Sequence, residues 1–305
     1  MAASAIRTEG LSKRYGDVDA LHLLDLEVPQ GEVVGYLGPN GAGKTTTIRM
    51  LLGLVRPTSG RAEVFGIDCQ RRAVEAHARL AYVSGEASLW PTLTGAETLH
   101  LLGRVQGRVD EAYRDELVER FDLDAGKKVR AYSKGNRQKV VLIAALMTRA
   151  ELLVLDEPTA GLDPLMEQAF RHCIHEARER GQTVFLSSHV LSEVEALCDQ
   201  VGILRDGRLV EMGTLSSLRH LSALTVEATF DGTVPDLSRV PGVTTVHADG
   251  SVARLQVQGS VEPLLQVLAV SGVQRLLCHE PSLEELFLAQ YGDHGGDEGP
   301  TQPAG

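Results

Sequence analysis

The sequence predicts an α/β fold, in which a parallel sheet is covered by helices, followed by a smaller α+β domain. Two observations predict the first part: a glycine-rich loop joins an apolar segment to a helical one, and strand and helix patterns alternate after it. A third observation predicts the second part, because short alternating segments with glycine and proline turns begin near residue 219. We therefore expect domains at 1–218 and 219–292, with a disordered, Gly/Pro/Asp-rich tail at 293–305.

The first elements follow from their hydrophobic patterns. Alternation predicts strands at 5–14 and 21–28, and an uninterrupted apolar run predicts a buried strand at Val33–Leu37. Helical spacing predicts a helix over Thr45–Leu54, after which a segment containing proline and glycine stops it. Two further helical patterns lie between about residues 95 and 122.

The remaining elements continue the alternation of helix and strand. A long helix is expected from Ser133 to Arg149, and buried strands at Leu152–Leu155 and Thr183–Leu186 flank a helix at about 164–180. Residues 205–208 resemble a tight hairpin turn. The second domain is expected to contain short alternating segments, such as Leu224–Phe230 and Val252–Val257, with one helical stretch at Val261–Val270 among them.

Composition and charge exclude several classes of protein. With 43% hydrophobic and 23% charged residues in 305, a packed globular core is expected. The net charge of −11 argues against a nucleic-acid binder, and the basic cluster at 127–130 is interpreted as a solvated loop. The longest apolar run, Val140–Met147, is too short to span a membrane, and the N-terminus lacks the features of a secretory signal. A soluble chain is therefore expected.

The cysteines and histidines do not form a metal-site pattern. The four cysteines stand far apart without a C-x-x-C pair, which suits a reducing cytosol better than a disulfide framework or a zinc site. They are Cys69, Cys173, Cys198 and Cys278. His172 and His175 share a predicted helix, but no further ligand set accompanies them. We interpret both as ordinary surface or packing residues.

A phosphate-binding loop is the strongest chemical signal in the chain. It consists of Gly38-Pro39-Asn40-Gly41-Ala42-Gly43-Lys44-Thr45-Thr46. It fits the pattern G-x-x-x-x-G-K-[ST] between an apolar strand and a helix. Glycines let successive backbone N–H groups turn toward phosphates, and the helix N-terminus adds a favourable dipole. Lys44 is expected to reach the β- and γ-phosphates of a nucleoside triphosphate, and the Thr45 hydroxyl to bind Mg²⁺.

A second segment brings carboxylates to the end of a buried strand. Asp156 and Glu157 follow the apolar run Leu152–Leu155, as in a Walker B segment. Asp156 is expected to hold Mg²⁺, directly or through water. Glu157 is the candidate general base, because it adjoins the metal-binding carboxylate and a base must lie within hydrogen-bond reach of its proton.

A third segment, Tyr132–Gln138, is similar to the signature sequence of the ATP-binding cassette (ABC) family, usually written L-S-G-G-Q. Ser133 and Gly135 match that pattern, whereas Lys134 and Asn136 depart from it, as does the initial tyrosine. Forms with Y-S-K-G-N are familiar in exporter-type cassettes of the family. The resemblance implies that Ser133, Gly135 and Asn136 contact the γ-phosphate held by a partner subunit, at the start of a helix.

Three further residues take their roles from the same resemblance. His189, which follows an apolar strand, matches the family's switch histidine, which contacts the γ-phosphate and links it to the catalytic glutamate. Asp163 matches the D-loop aspartate, which crosses the dimer interface. Tyr15 matches the aromatic residue that stacks on adenine.

One position departs from the family pattern in a way that affects the chemistry. The family normally has a glutamine in a Y-x-P-Q-like segment, where this chain has Tyr82-Val83-Ser84-Gly85-Glu86. Alignment on the following L-W-P-T-L-T puts Gly85 at the glutamine position. Glycine has no side chain that could bind a metal, so we hypothesise that Glu86 takes over the contact with Mg²⁺. The open alternative is a weaker sensing of the γ-phosphate.

The resemblance covers nearly all of residues 4–292, including a segment at 280–288 that looks like the end of many drug-exporter ATPases. It implies a P-loop NTPase fold, with an ABC ATP-binding domain and a small accessory domain. It also implies ATP hydrolysis with Mg²⁺ in a homodimer that sandwiches ATP. The resemblance further implies a separate transmembrane permease and a peripheral position on the cytoplasmic face of the cell membrane. The expected activity is export of a hydrophobic drug-like or natural-product substrate.

Two other functions stay open at this point. One is a soluble ABC ATPase that acts in translation or DNA repair without a transporter. Such proteins usually carry two cassettes, or a long coiled coil between the phosphate loop and the signature, and this chain has neither feature. The other is a regulatory binder without catalysis, which the intact Lys44, Asp156, Glu157 and His189 disfavour.

Overall fold

The computed structural model of the protein describes residues 3–107, 109–220 and 224–279. The chain divides into a first unit, Met1–Thr214, and a second unit, Leu215–Gly305.

The domain boundary and the C-terminal tail expected from the sequence can be compared with these units. The expected boundary after residue 218 falls inside a short helix of the second unit, Leu215–His220. The expected tail at 293–305 and the exporter-like segment at 280–288 lie outside the described residues.

The first unit is built from strands and helices that alternate along most of its length. Its strands are β1 (Ser4–Tyr15), β2 (Val18–Pro29), β3 (Val33–Leu37), β4 (Ser59–Val64), β5 (Ile67–Asp68), β6 (Leu80–Val83), β7 (Leu152–Asp156), β8 (Thr183–Ser188), β9 (Gln200–Arg205) and β10 (Arg208–Thr214). Its helices are α1 (Lys44–Leu51), α2 (Ala73–His77), α3 (Gly95–Gln106), α4 (Glu111–Arg120), α5 (Lys134–Leu146), α6 (Pro164–Glu179) and α7 (Leu191–Leu197).

These strands form two sheets. The smaller sheet is antiparallel, in the order β2-β1-β4-β5, and the larger has the order β10-β9-β3-β8-β7-β6. All neighbours in the larger sheet are parallel except β10, which pairs with β9 through the predicted hairpin. Every residue of β3, β7 and β8 is buried, as expected of parallel strands covered on both faces. The predicted α/β fold with a parallel sheet is confirmed.

One hydrophobic core joins the two sheets through α1. Ile48 and Met50 of α1 are buried in the same cluster as residues of β1, β2, β4, β7 and β8. Within it, the rings of Tyr36 and Phe185 lie 5.3 Å apart between centroids. The core therefore anchors α1, whose N-terminus ends the phosphate loop, directly against the central strands.

The strand order concentrates chemistry at one edge of the sheet. Since β3, β8, β7 and β6 are parallel neighbours, their carboxyl ends lie side by side. The phosphate loop follows β3, Asp156 ends β7, His189 follows β8 and Gly85 follows β6. In open α/β sheets this is the edge at which ligands bind.

The second unit is a small α+β structure. Its elements are α8 (Leu215–His220), β11 (Leu224–Phe230), β12 (Val243–Asp249), β13 (Val252–Val257), α9 (Glu262–Val270) and β14 (Val273–His279). The strands form an antiparallel sheet in the order β12-β13-β11-β14. Val226, Ala228 and Phe230 bury alternate positions of β11, and Leu264 and Leu268 of α9 belong to the same core.

No helix in the described part of the chain combines the length and apolarity needed to cross a membrane.

Candidate active site

The phosphate loop is shaped by one glycine in particular. Gly43 is the N-cap of α1 with φ at 112°, in the left-handed region that other residues avoid. A Cβ atom at this position would also lie only 2.7 Å from the carbonyl oxygen of Ala20. Both facts require glycine at the point where the loop enters the helix, so the loop can pass close to β2 and still present the helix N-terminus to a phosphate.

Lys44 is folded back over its own loop. Its ammonium donates hydrogen bonds to the carbonyl oxygens of Gly38 at 2.6 Å and Pro39 at 3.2 Å. Its side chain is 5% exposed, and burial lowers the pKa of the amine, while the Glu157 and Asp156 carboxylates act in the opposite direction. The lysine is therefore held inside the loop that the sequence assigns to phosphate binding.

Asp156 is a buried carboxylate with two hydroxyl partners. It is 4% exposed, and its Oδ1 accepts hydrogen bonds from Ser187 Oγ at 2.6 Å and from Thr45 Oγ1 at 3.3 Å. The register of β7 and β8 pairs Asp156 with Ser187 directly. Hydroxyl and carboxylate oxygens are the donors that Mg²⁺ prefers, so Thr45 and Asp156 fit this ion. The described residues contain no group of three or more His, Cys, Asp or Glu side chains arranged for a metal.

Glu157 lies between a lysine and a histidine. Its Oε1 is 3.6 Å from Lys44 Nζ and 3.2 Å from His189 Nδ1. The residue has φ at 47°, an uncommon value for a side chain other than glycine, and such strain concentrates at functional positions. Its N–H donates to the carbonyl oxygen of Ser187 at 3.1 Å and to the Ser187 hydroxyl at 3.2 Å, which fixes this conformation.

The signature segment begins a helix, and its serine caps it. Ser133 is the N-cap of α5, and its Oγ accepts a hydrogen bond from the Asn136 N–H at 3.2 Å. The predicted long helix therefore starts at Lys134, one residue later than expected. A Cβ at Gly135 would lie 2.6 Å from the carbonyl oxygen of Gly161, so only glycine lets α5 touch the segment after Glu157.

Tyr132 and Lys134, the two residues beside this serine that differ from the family's signature, have different surroundings. Tyr132 is 4% exposed, and its hydroxyl donates a hydrogen bond to the carbonyl oxygen of Asp124 at 2.6 Å. The tyrosine therefore packs into the domain and anchors the turn before the signature. The side chain of Lys134 lies over Gly161, whose added Cβ would meet it at 3.4 Å.

Asp163 has a clear local role in this chain. It is the N-cap of α6, and its Oδ1 accepts hydrogen bonds from the N–H groups of Leu165 at 3.1 Å and Met166 at 3.0 Å. The carboxylate thereby fixes the end of the segment that starts at Glu157. Its expected contact across a dimer interface stays a prediction.

Tyr15 ends β1 with an exposed ring. The side chain is 46% exposed, and Lys13 Nζ lies 4.8 Å from the ring centroid. An exposed aromatic ring is available for stacking on a base. The role of Tyr15 toward adenine stays a prediction.

A cleft of about 530 Å³ connects the metal-binding residues with the segment that lacks the family's glutamine. Thr45, Asp156 and Glu157 line one part of it, and Gly85 and Glu86 line another. The other lining residues are Asn40, Arg49, Tyr82, Ser84, Ser88, Lys134 and Ala160. Glu86 is exposed in this cleft, and its role toward Mg²⁺ stays a prediction.

Two residues of the site received no role from the sequence. Ser187 holds both Asp156 and the Glu157 N–H, and only the β7–β8 register reveals that it faces them. Gln138 donates a hydrogen bond from Nε2 to the carbonyl oxygen of Pro158 at 3.0 Å, which ties α5 to the segment after Glu157. The sequence signal was available for Ser187, since it stands two residues before His189 at a strand end.

Comparison with protein families finds one match. Residues 21–160 match the family described as "ABC transporter". That span includes the phosphate loop, the signature segment and the Asp156–Glu157 pair.

Relatives with assigned names align along almost the whole chain. A daunorubicin resistance ATP-binding protein, DrrA3 of Streptomyces coeruleorubidus, is 38% identical over 96% of this chain and 98% of its own length. A bacitracin transport ATP-binding protein, BcrA of Bacillus licheniformis, is 34% identical over 95% of this chain and 98% of its own length. The alignments therefore include the second unit as well as the first.

Solved structures share the fold of the first unit. An ATP-binding subunit of an ABC transporter superposes with a TM-score of 0.68 at 31% identity, covering 72% of this chain and 93% of that one. The dimeric cassette MJ0796 bound to ADP and Pi superposes with a TM-score of 0.61 at 24% identity, covering 69% of this chain and 98% of that one. The second of these likenesses concerns the fold alone.

Proposed function

Because this chain belongs to the ABC transporter family of ATP-binding proteins, we propose that it is the ATP-hydrolysing subunit of an exporter. Two relatives matched along nearly their full length carry the names daunorubicin resistance and bacitracin transport protein. These names support a hydrophobic drug-like or natural-product substrate. The substrate would pass through a separate transmembrane permease. Since such a permease lies in the membrane and ATP is a cytoplasmic compound, the proposed working position is the cytoplasmic membrane face.

The observation that carries the proposal is the position of the Glu157 carboxylate between Lys44 and His189, beside Asp156. ATP phosphates would bind along residues 38–46, where backbone N–H groups and the N-terminus of α1 favour anions. Phosphate binding would draw Lys44 from the loop carbonyl groups toward the β- and γ-phosphates. The lysine would then neutralise charge on the phosphates in the transition state.

Mg²⁺ is the proposed metal cofactor, held by Thr45 and Asp156. These residues fit it because their hydroxyl and carboxylate oxygens already lie 3.3 Å apart at the carboxyl edge of the sheet. When bound, the ion neutralises charge on the β- and γ-phosphate oxygens of the nucleotide. Ser187 keeps the Asp156 carboxylate oriented through its hydrogen bond of 2.6 Å.

Glu157 is the proposed general base and His189 its positioning partner at the γ-phosphate. A carboxylate can accept a proton from the attacking water while the water oxygen bonds in line to the γ-phosphorus. The bond from that phosphorus to the β,γ-bridging oxygen breaks, and ADP and phosphate leave. The imidazole, 3.2 Å from Glu157 Oε1, would contact the γ-phosphate with its other nitrogen. The reaction then depends mainly on positioning and charge stabilisation.

A homodimer completes the proposed site. The signature residues Ser133, Gly135 and Asn136 lie at the start of α5, where a helix N-terminus can meet a phosphate held by the partner copy. Two equivalent sites follow from twofold symmetry, each with the phosphate loop of one copy and the signature of the other. A dimer is also the assembly named for solved cassettes with this fold.

Replacing Glu157 with glutamine tests the assignment of the base. We expect Glu157→Gln to lower the ATPase rate by at least ~100-fold, because the amide cannot accept the proton of water. ATP binding should persist, and an ATP-bound dimer should accumulate on size-exclusion chromatography. The matched control is Glu179→Gln, an exposed position at the end of α6. A Glu157→Gln protein that hydrolyses ATP at the rate of the control would remove this assignment.

A membrane pull-down tests the transport role. The chain, purified with a tag from detergent-solubilised membranes of its own cells, is expected to carry a polytopic membrane protein with it. A hydrophobic drug should change the ATPase rate of that complex and leave the rate of the isolated chain unchanged. The family match and the named relatives do not support the alternative of a translation or repair ATPase. An ATPase found only on ribosomes or DNA would contradict the exporter role.

A further inference from the structure

A buried carboxylate next to the candidate site has no role in the mechanism above. Glu193 lies in α7, four residues after His189, and is 5% exposed. Burying a carboxylate is costly unless hydrogen bonds compensate it. The contacts of Glu193 therefore indicate which groups compensate this cost and which segments the carboxylate holds.

The first contact is with the segment that carries His189. Ser188 Oγ donates a hydrogen bond of 2.6 Å to Glu193 Oε2, and the Val190 N–H donates to the same Ser188 oxygen at 2.9 Å. Ser188, before His189, is thus tied to the Glu193 carboxyl directly, and Val190, after it, is tied through the Ser188 hydroxyl. These hydrogen bonds restrain the backbone on both sides of His189, whose side chain is 49% exposed.

The second contact is with the segment that carries Glu157. Thr159, in the segment after Glu157, acts in the same direction as Ser188, since both lower the pKa of the Glu193 carboxyl. Burial is the larger effect and raises the pKa of Glu193 overall. Thr159 belongs to a tight turn, since the Leu162 N–H donates to its carbonyl oxygen at 2.9 Å. Glu193 is therefore hydrogen-bonded to the segment that presents His189, and its pKa also responds to the turn that follows Glu157.

The charged groups around Glu193 do not replace these hydroxyl contacts. On α6, Glu167 raises and Arg171 lowers the pKa of Glu193, and both effects are smaller than those of the hydroxyl groups. The second carboxyl oxygen, Oε1, is buried and has no hydrogen-bond partner in the described part of the chain. The carboxyl thus acts as an acceptor for Ser188, and no basic side chain in the described part of the chain forms a salt bridge with it.

We propose that Glu193 is a positioning residue for hydrolysis, which holds the His189 segment in place through Ser188 so that His189 stays in contact with Glu157. The proposal rests on the roles proposed above for Glu157 and His189. Glu193 touches neither nucleotide nor metal in this scheme and acts through Ser188. Its removal should therefore slow turnover and leave ATP binding unchanged, because residues 38–46 are not among its contacts.

Two substitutions distinguish the effect of losing the hydrogen-bond acceptor from the effect of losing side-chain volume. Glu193→Met keeps a similar volume but removes the acceptor, so kcat should fall about tenfold while KM for ATP stays within about twofold, as expected when catalytic groups are misplaced. Glu193→Gln keeps an acceptor oxygen and should retain at least about half of kcat. The matched control is Ser192→Ala, at an exposed position of the same helix, which should behave as the wild type. Steady-state ATPase assays with thermal melting of each variant supply these values.

A double-mutant cycle tests whether Glu193 acts through the histidine. If it does, Glu193→Met should cause no further loss of kcat in a His189→Ala background. Ser188→Ala should reproduce the loss, and it serves as the second variant if Glu193→Met does not fold. The proposal would be overturned if Glu193→Met had the wild-type kcat, or if Glu193→Met and Glu193→Gln lost kcat equally. It would also be overturned if the fold losses of kcat from Glu193→Met and His189→Ala multiplied in the double variant. A wild-type chain without ATPase activity would instead overturn the proposed function.

Discussion

Glu157 shows how the chain uses local strain at a single residue. Its φ of 47° costs energy for a residue other than glycine, on the order of 1 kcal/mol or more. The hydrogen bonds from its N–H to Ser187 compensate part of that cost. The unusual backbone turns the side chain out of β7, toward Lys44 and His189. The same residue type with an ordinary backbone would continue the direction of the strand.

Glu86 carries the most specific prediction at the residue scale. If its carboxylate replaces the missing glutamine, Glu86→Gln should raise the Mg²⁺ concentration for half-maximal ATPase on the order of tenfold, equivalent to about 1.4 kcal/mol. The reason is that an amide oxygen binds Mg²⁺ more weakly than a carboxylate oxygen. A Mg²⁺ titration of the ATPase rate measures this, with Glu179→Gln as the control. Unchanged hydrolysis of Mg-ATP in Glu86→Gln would refute the hypothesis.

The parallel strands explain why residues distant in sequence meet. β3, β8 and β7 are neighbours, so the phosphate loop, His189 and Asp156 come to one edge although they are about 150 residues apart at most. The strand patterns for β3, β7 and β8 predicted these elements closely, because each is a fully buried run. β6 was not predicted from its pattern, since four residues are too few to distinguish a strand from a buried turn.

The contact between α5 and the segment after Glu157 can be tested by adding a methyl group where the two elements meet. Gly135→Ala would place a Cβ 2.6 Å from the Gly161 carbonyl oxygen, so α5 or the turn at 158–163 must shift. We expect a loss of stability of about 1–3 kcal/mol, from overpacking, together with a reduced kcat. Thermal melting and ATPase assays measure both quantities.

The control for this substitution is Gly126→Ala, where the added Cβ would meet only Asp124 Oδ1 at 3.5 Å, an ordinary contact. It should leave melting temperature and turnover close to wild type. If Gly135→Ala behaves in the same way as Gly126→Ala, the close approach of the two segments is not needed for catalysis.

At the scale of the whole molecule, the proposed dimer predicts complementation between inactive chains. Lys44→Ala should disable the phosphate loop, and Ser133→Arg should block the signature. Each chain alone should be inactive. In a mixture, half of the dimers contain one of each chain and therefore one intact composite site. With two independent sites, the mixture should recover roughly a quarter of the wild-type ATPase rate.

The control for the mixing experiment is a pair of variants that both have a defective phosphate loop. Lys44→Ala mixed with a second phosphate-loop variant, Thr45→Ala, leaves no site intact and should stay inactive. Activity in this pair, or none in the complementing pair although both chains form dimers, would contradict sites shared between two copies.

The sequence by itself determined the phosphate loop, the Asp156–Glu157 pair, the signature segment and the α/β fold with its second α+β unit. These features are local: a loop that binds phosphate needs its glycines, lysine and threonine within a few consecutive residues, so a motif carries the chemistry. Only the tertiary structure decided which side chains support that chemistry. Ser187 faces Asp156 through the register of β7 and β8, and Glu193 of α7 is buried where Ser188 donates a hydrogen bond to it. Strand order, register and helix packing depend on contacts between distant segments, and no short pattern encodes them.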